Sequence, residues 1–154
     1  MRFIHYGSDS FDINRVKPVQ NQPLSNKPIG GFWATPVGAE LGWKEWCEEV
    51  GLETERLKSF FEFSLSEDAK VLEISKEEDI DALPLYIEEM AERMMRRFGD
   101  AFQTKPIDFE KLIEDGVDAV LFNASADWRL SYGGFCGWDC DSLLVLNPKV
   151  IIPE

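Results

Sequence analysis

Residues 30–36 read Gly-Gly-Phe-Trp-Ala-Thr-Pro, and the interpretation of the whole chain starts from this stretch. Aromatic and β-branched residues favour an extended backbone. The two glycines and the proline suit the two ends of such a segment, because both residue types interrupt regular strand pairing. The stretch therefore predicts a short strand entered through glycines and closed by proline. A simple bulge or turn at the glycine pair is the alternative.

Other short strands are predicted on both sides of this stretch. Residues 3–6 alternate, with Phe3 and His5 on one face and Ile4 and Tyr6 on the other. The remaining strands are predicted at 60–65, 69–74, 118–123 and 142–146.

Helical spacing of apolar residues predicts four helices, which lie between Gly42 and Gly51 and at 76–83, 85–98 and 108–115. Residues 9–28 form a long polar loop, and loops of that length in compact domains are often functional. Strands and helices do not alternate regularly along the chain. The pattern therefore predicts the α+β class, in a single domain over residues 1–154.

Composition excludes several classes of partner. The chain has 154 residues, with 29 Asp and Glu against 16 Lys and Arg, for a net charge of −13. Such a charge argues against gripping nucleic acid by its phosphates and against an anionic membrane surface. The sequence has neither an apolar run long enough to span a bilayer nor an apolar leader at its start, so we expect a cytoplasmic location.

Metal and disulfide chemistry are not expected. The three cysteines are odd in number, which does not suit a disulfide framework. Cys136 and Cys140 make one close pair, whereas structural zinc needs four ligands, and only Cys47 and His5 remain at a distance. We therefore expect reduced thiols and no metal.

Three segments are more informative together than singly. The first is His5-Tyr6-Gly7-Ser8, and the second is the strand at 30–36 with the aromatic helix after it. The third is Gly137-Trp138-Asp139-Cys140-Asp141, which leads into the strand at 142–146. No nucleophile elbow, phosphate-binding loop or dinucleotide fingerprint accompanies them.

The order and content of these segments resemble the ADP-ribosyltransferase superfamily, in a divergent form of its compact bacterial, phage and PARP-like catalytic domains. In that superfamily a first strand ends in Arg, or in His close to Gly and Ser. A middle strand carries Gly, aromatic and Ser or Thr residues, and a late strand begins with a catalytic Glu. The resemblance implies a split β-sandwich of two small sheets with flanking helices, and NAD as substrate.

The resemblance also implies roles for single residues. His5 matches a histidine that hydrogen-bonds a ribose of NAD, and Gly7 matches a glycine whose backbone pairs with the nicotinamide amide. Thr35 matches the residue that braces the NAD site. Phe32 or Trp33 matches an aromatic residue near the nicotinamide.

Two carboxylates complete the expected site. Asp141 falls where the superfamily places its catalytic Glu, and Asp139 falls where arginine-modifying members place a second one. Cleavage of the nicotinamide–ribose bond passes through an oxocarbenium-like cation, which a fixed carboxylate stabilises. Residues two apart on a strand face the same way, so both carboxylates are expected in one cleft.

The leading hypothesis is therefore an NAD-dependent ADP-ribosyltransferase, of the glycosyltransferase class, that modifies a macromolecule, with protein favoured over nucleic acid. The chain departs from the superfamily pattern, because Asp is shorter than Glu and Tyr6 separates His5 from Gly7. The alternatives are a non-catalytic binding domain of the same fold and an NAD glycohydrolase. A third is an acidic protein that mimics nucleic acid to block a partner. Asp139 and Asp141 also suit a turn or cap, and His5 suits a core or edge position.

Overall fold

The stretch at residues 30–36 contributes the middle strand of a sheet. The structure is a computed structural model that describes residues 1–22, 25–52, 54–86, 89–99, 106–132 and 135–154. Its strands are β1 (Arg2–Tyr6), β2 (Phe32–Pro36), β3 (Phe60–Leu65), β4 (Val71–Ile74), β5 (Ala119–Phe122), β6 (Ser142–Val145) and β7 (Ile151–Pro153).

Within the described residues these seven strands form one mixed sheet in the order β4-β5-β6-β2-β1-β3-β7. Only the pair β4–β5 is parallel, and every other neighbouring pair is antiparallel. The α+β class is thereby confirmed. The finer arrangement, a split sandwich of two small sheets, stays a prediction.

The helices are short. They are α1 (Trp43–Glu49), α2 (Glu77–Asp81), α3 (Glu89–Phe98), α4 (Phe109–Glu114) and α5 (Arg129–Tyr132). The helix predicted at 85–98 corresponds to α3, and its residues 87–88 lie outside the described residues. A 3₁₀ helix at Glu55–Lys58 precedes β3. Neither α5 nor β7 was predicted.

One face of the sheet packs against helices. Ile80 of α2, Phe109 and Leu112 of α4 and Leu130 of α5 share a buried cluster with Phe122 of β5 and its neighbours. Apolar side chains from separate helices thus close over this face, as the burial of apolar surface favours.

The opposite face is buried by the strands themselves. Its cluster includes Phe3 of β1, Phe63 of β3, Leu121 of β5 and Leu143 of β6, with Phe63 and Leu143 fully buried. Among the described residues no α-helix contributes to this cluster, which also includes Val150 of the 3₁₀ helix Pro148–Val150. Strand residues, with Phe11 of the polar loop packed against them, therefore supply most of the cover on this face.

Candidate functional site

A cavity of about 470 Å³ lies beside strands β1, β2 and β6. That volume falls within the range of about 300–1,000 Å³ that is usual for small-molecule pockets. His5 of β1, Trp33 and Thr35 of β2, and Asp139 shortly before β6 all line it. Residues from all three segments singled out in the sequence thus meet at one cavity.

Four tryptophans supply flat apolar walls. Trp33 and Trp138 have ring centroids 4.7 Å apart, at an interplanar angle of 60°. Trp43 and Trp46 of α1 stack at 5.2 Å. Aromatic faces of this kind suit a flat heterocyclic ring, because offset and edge-to-face arrangements add to apolar burial.

Trp138 is held rigidly in this wall. Its side chain is 1% exposed, and its Nε1 donates a hydrogen bond of 2.8 Å to the backbone oxygen of Asn26. Ser131 Oγ donates to the backbone oxygen of Trp138 at 2.7 Å. The wall is therefore tied both to the polar loop before β2 and to helix α5.

His5 is a neutral imidazole held in one tautomer. Its Nδ1 lies 2.7 Å from the backbone oxygen of Trp33, and a carbonyl oxygen can only accept, so Nδ1 carries the proton. The ring also packs on Phe32, with centroids 4.4 Å apart. Burial lowers the pKa of His5 from its ordinary 6.5, the hydrogen bond to Trp33 opposes this shift, and the nearby charge of Arg56 adds to it. The unprotonated Nε2 remains as a hydrogen-bond acceptor.

Thr35 lines the cavity but uses its hydroxyl within the protein. The Thr35 Oγ1 donates to the backbone oxygen of Asp141 at 2.7 Å, in a buried position. This bond joins β2 to the residue just before β6. Thr35 therefore braces the cavity wall through this bond.

The two predicted carboxylates lie in different surroundings. Asp139 is exposed and lines the cavity. Asp141 is 5% exposed and is not among the lining residues, and its two carboxylate oxygens accept from Ser125. The expectation that both point into one cleft is met only by Asp139.

Gly7 and Phe32 are not among the residues that line the cavity. The backbone nitrogen of Gly7 donates to Ser59 at 2.9 Å, and its φ of 111° explains the need for glycine. Phe32 packs its ring against Phe61 and Phe63 on the strand-covered face. Four of the seven predicted site residues therefore line the cavity, namely His5, Trp33, Thr35 and Asp139.

Two cations at the cavity were missed by sequence reasoning. Lys27 and Arg56 both line it, and within the described residues neither forms an ion pair. Lys27 Nζ lies 5.9 Å from the ring centroid of Trp33. The only signal for Lys27 was its place in the long polar loop at 9–28, and nothing in the sequence connects Arg56 with β1.

Two further side chains at the cavity stay protonated at neutral pH. Burial, with the charges of Glu45, Glu48 and Glu62, raises the pKa of the Tyr6 phenol. Burial likewise raises the pKa of the Cys140 thiol, against the opposing hydrogen bond with Ser142. Neither group is therefore activated as a nucleophile.

The described part of the chain has no cluster of three or more His, Cys, Asp or Glu side chains suited to a metal ion. In the same residues no helix has the length and apolar character to cross a membrane. Comparison with protein-family models, with curated proteins and with solved structures finds no match to this chain in any of the three.

Proposed function

We propose that this chain binds NAD in the cavity and transfers its ADP-ribose group to a macromolecular acceptor, with protein favoured. One observation carries the proposal. His5, Thr35 and Asp139 are far apart in sequence, are three of the seven residues that the resemblance selected, and line the same cavity. Asp141, the residue matched to the catalytic Glu, does not line it, so the proposal gives the reacting carboxylate to Asp139.

The cavity has a suitable group for each part of NAD. The tryptophan faces suit the nicotinamide or adenine ring, and Trp33 is one of the two residues, with Phe32, that the resemblance matched to an aromatic near the nicotinamide. Lys27 and Arg56 suit the pyrophosphate, because charged hydrogen bonds to phosphate are the strong ones. In a chain with 29 acidic residues, two cations without ion pairs at one cavity favour an anionic ligand.

The proposed chemistry uses Asp139 as the carboxylate facing the ribose. The bond between C1′ of the ribose and the nicotinamide nitrogen breaks, and nicotinamide leaves with the electron pair. Asp139 stabilises the positive charge that develops on the ribose. A lone pair of the acceptor then forms the new bond to C1′, and the acceptor's proton passes to the Asp139 carboxylate. Neutral His5 offers Nε2 as acceptor to a ribose hydroxyl.

The strand pairing and the strand-covered core support the finer fold that belongs to this proposal, a split β-sandwich of two small sheets. Strands β1 and β2 are joined by only two paired positions, Phe3 with Pro36 and Ile4 with Thr35, whereas β1 and β3 share five. A short junction beside the cavity allows the two parts of the sheet to turn toward each other. The strand-covered core is what two facing sheets bury.

Release of nicotinamide tests the proposed reaction. The matched variants are Asp139→Asn at the cavity and Asp68→Asn, an exposed aspartate away from it. We expect the wild type and Asp68→Asn to release nicotinamide from NAD at the same rate. Asp139→Asn should be slower by about a hundredfold, since one electrostatic stabiliser of a transition state contributes about that much.

Equal release by the wild type and Asp139→Asn would remove Asp139 from the reaction. No release by any of the three proteins, with or without added acceptor protein, would overturn transfer. Release of nicotinamide without attachment of ADP-ribose to any acceptor protein would instead favour hydrolysis of NAD.

A further inference from the structure

We infer that Asp141 is a positioning residue, which sets the cavity wall so that Asp139 faces the ligand, and that its own carboxylate does not react. This inference rests on the proposed function, because it assigns roles within the same site. Its structural part, that Asp141 fixes the geometry of the wall, is tested below without NAD.

Both oxygens of the Asp141 carboxylate accept hydrogen bonds from one neighbour, Ser125. The backbone nitrogen and the hydroxyl of Ser125 each donate to it at 2.8 Å, one to each oxygen. The residue is 5% exposed. A carboxylate that is buried and paired in this way keeps its position, because leaving it unpaired carries a large desolvation penalty.

The backbone of Asp141 makes two more bonds. Its nitrogen donates to the backbone oxygen of Leu41 at 2.8 Å, and its oxygen accepts from Thr35 Oγ1 at 2.7 Å. One residue thus joins four segments of the chain: β2, the turn before α1, the segment after β5 and the start of β6.

These bonds hold two walls of the cavity. On one side, Asp141 follows Asp139 by two residues and Trp138 by three, so its anchorage fixes their backbone. On the other side, Leu41 leads directly into α1, which carries Trp43. Loss of the anchor is therefore expected to change the spacing of tryptophans across the cavity.

The need for a negative charge at position 141 distinguishes a positioning role from a reacting one. An asparagine at 141 can still accept from the Ser125 nitrogen through its oxygen, and its amide can donate to the Ser125 hydroxyl oxygen. It thus replaces both bonds without a charge. A carboxylate that stabilises a cationic transition state cannot be replaced in this way.

The experiment compares Asp141→Ala, Asp141→Asn and Asp139→Asn with the wild type by two readouts. One is nicotinamide release from NAD. The other is the exciton couplet in circular dichroism that we assign to Trp33 and Trp138, whose rings lie close and steeply inclined. Loss of the couplet in Trp33→Phe checks that assignment.

We expect Asp141→Ala to reduce release by more than tenfold and to weaken the couplet. Asp141→Asn should restore release to within about threefold of the wild type and restore the couplet. Asp139→Asn should keep the couplet while release falls by about a hundredfold. If Asp141→Ala does not fold, Ser125→Ala takes its place, since it removes one of the two bonds, and a weaker couplet is expected.

Two results would overturn the inference. An Asp141→Asn protein that keeps the couplet but loses release as severely as Asp139→Asn would make Asp141 a reacting carboxylate. A wild-type couplet in Asp141→Ala, or in Ser125→Ala where that variant is used, would remove the positioning role. The second result holds even if the wild type does not act on NAD, so the two proposals fail separately.

Discussion

His5 illustrates at the scale of one residue how the sheet prepares a polar group for binding. Its Nδ1 proton is committed to the Trp33 carbonyl at 2.7 Å, and Phe32 packs against its ring. Both the burial of the ring and the nearby Arg56 oppose a second proton. Burial and Arg56 therefore favour the neutral imidazole, while the hydrogen bond to Trp33 fixes its tautomer.

The lowered pKa of His5 predicts how stability varies with pH. Above the ordinary value of 6.5 the ring is neutral in both the folded and the unfolded chain. As the pH falls below 6.5 toward the lowered folded value, the unfolded chain binds the proton first, so the free energy of unfolding decreases. The effect of this group ends once the pH is below the folded pKa.

Urea unfolding of the wild type and of His5→Asn at several pH values between about 7 and 5.5 measures this effect. The asparagine amide can still donate to Trp33 but does not titrate. As the pH is lowered, we expect the free energy of unfolding to fall less in His5→Asn than in the wild type. The same decrease in both proteins would show that His5 is not its source.

Residue types at the site could be predicted from the sequence, but their partners could not. His5, Trp33, Thr35 and Asp139 were selected by type and by position within short motifs, and they line the cavity. Asp141 was selected on the same grounds, yet its carboxylate accepts a hydrogen bond from Ser125 and does not line the cavity. That contact depends on the path of the chain between β5 and β6, which no local pattern specifies.

At the scale of elements, β2 positions the site because its glycine entry permits a close approach to the preceding loop. Gly30 has a φ of 76°, and a methyl group on it would overlap the carbonyl oxygen of Pro18. Gly38, after β2, has a similar φ of 79° but no neighbour within 4 Å of such a methyl group. A comparison of alanine substitutions at these two glycines therefore distinguishes the cost of backbone strain from the cost of steric overlap.

Gly30→Ala and Gly38→Ala are expected to destabilise the protein by different amounts. Gly38→Ala should cost about 1–2 kcal/mol for the left-handed backbone alone. Gly30→Ala should cost a further 1–3 kcal/mol, roughly, for the overlap with Pro18. Denaturant unfolding of both variants gives the comparison, and equal losses would contradict the close approach at Gly30.

Most elements could be predicted, with errors where tertiary context decides. The alternation at Phe60–Leu65 predicted β3 with its observed bounds. Strand β7 was missed because three residues ending in proline carry no period, and it exists through its pairing with β3. The four-residue helix α5 is too short to show helical spacing, and buried Leu130 anchors it.

At the scale of the whole molecule, the net charge of −13 makes the location of the cations informative. NAD carries a pyrophosphate, and a strongly acidic protein repels it unless positive groups are placed at the site. Lys27 and Arg56 line the cavity at which we propose that NAD binds, whereas Lys149 is exposed and does not line it. Composition excluded a phosphate-gripping surface but could not reveal a local pair of cations.

Binding of NAD at this cavity is tested most directly by measuring the Tm of the protein at several concentrations of NAD. A ligand that binds only the folded state raises its stability by about 2.7 kcal/mol at a hundred times Kd. We predict a rise in Tm that grows with NAD concentration in the wild type and in Lys149→Gln. In Arg56→Gln the same rise should need about tenfold more NAD, since a charged hydrogen bond contributes about that factor. No rise at millimolar NAD in the wild type, or the same concentration dependence in Arg56→Gln, would contradict the account.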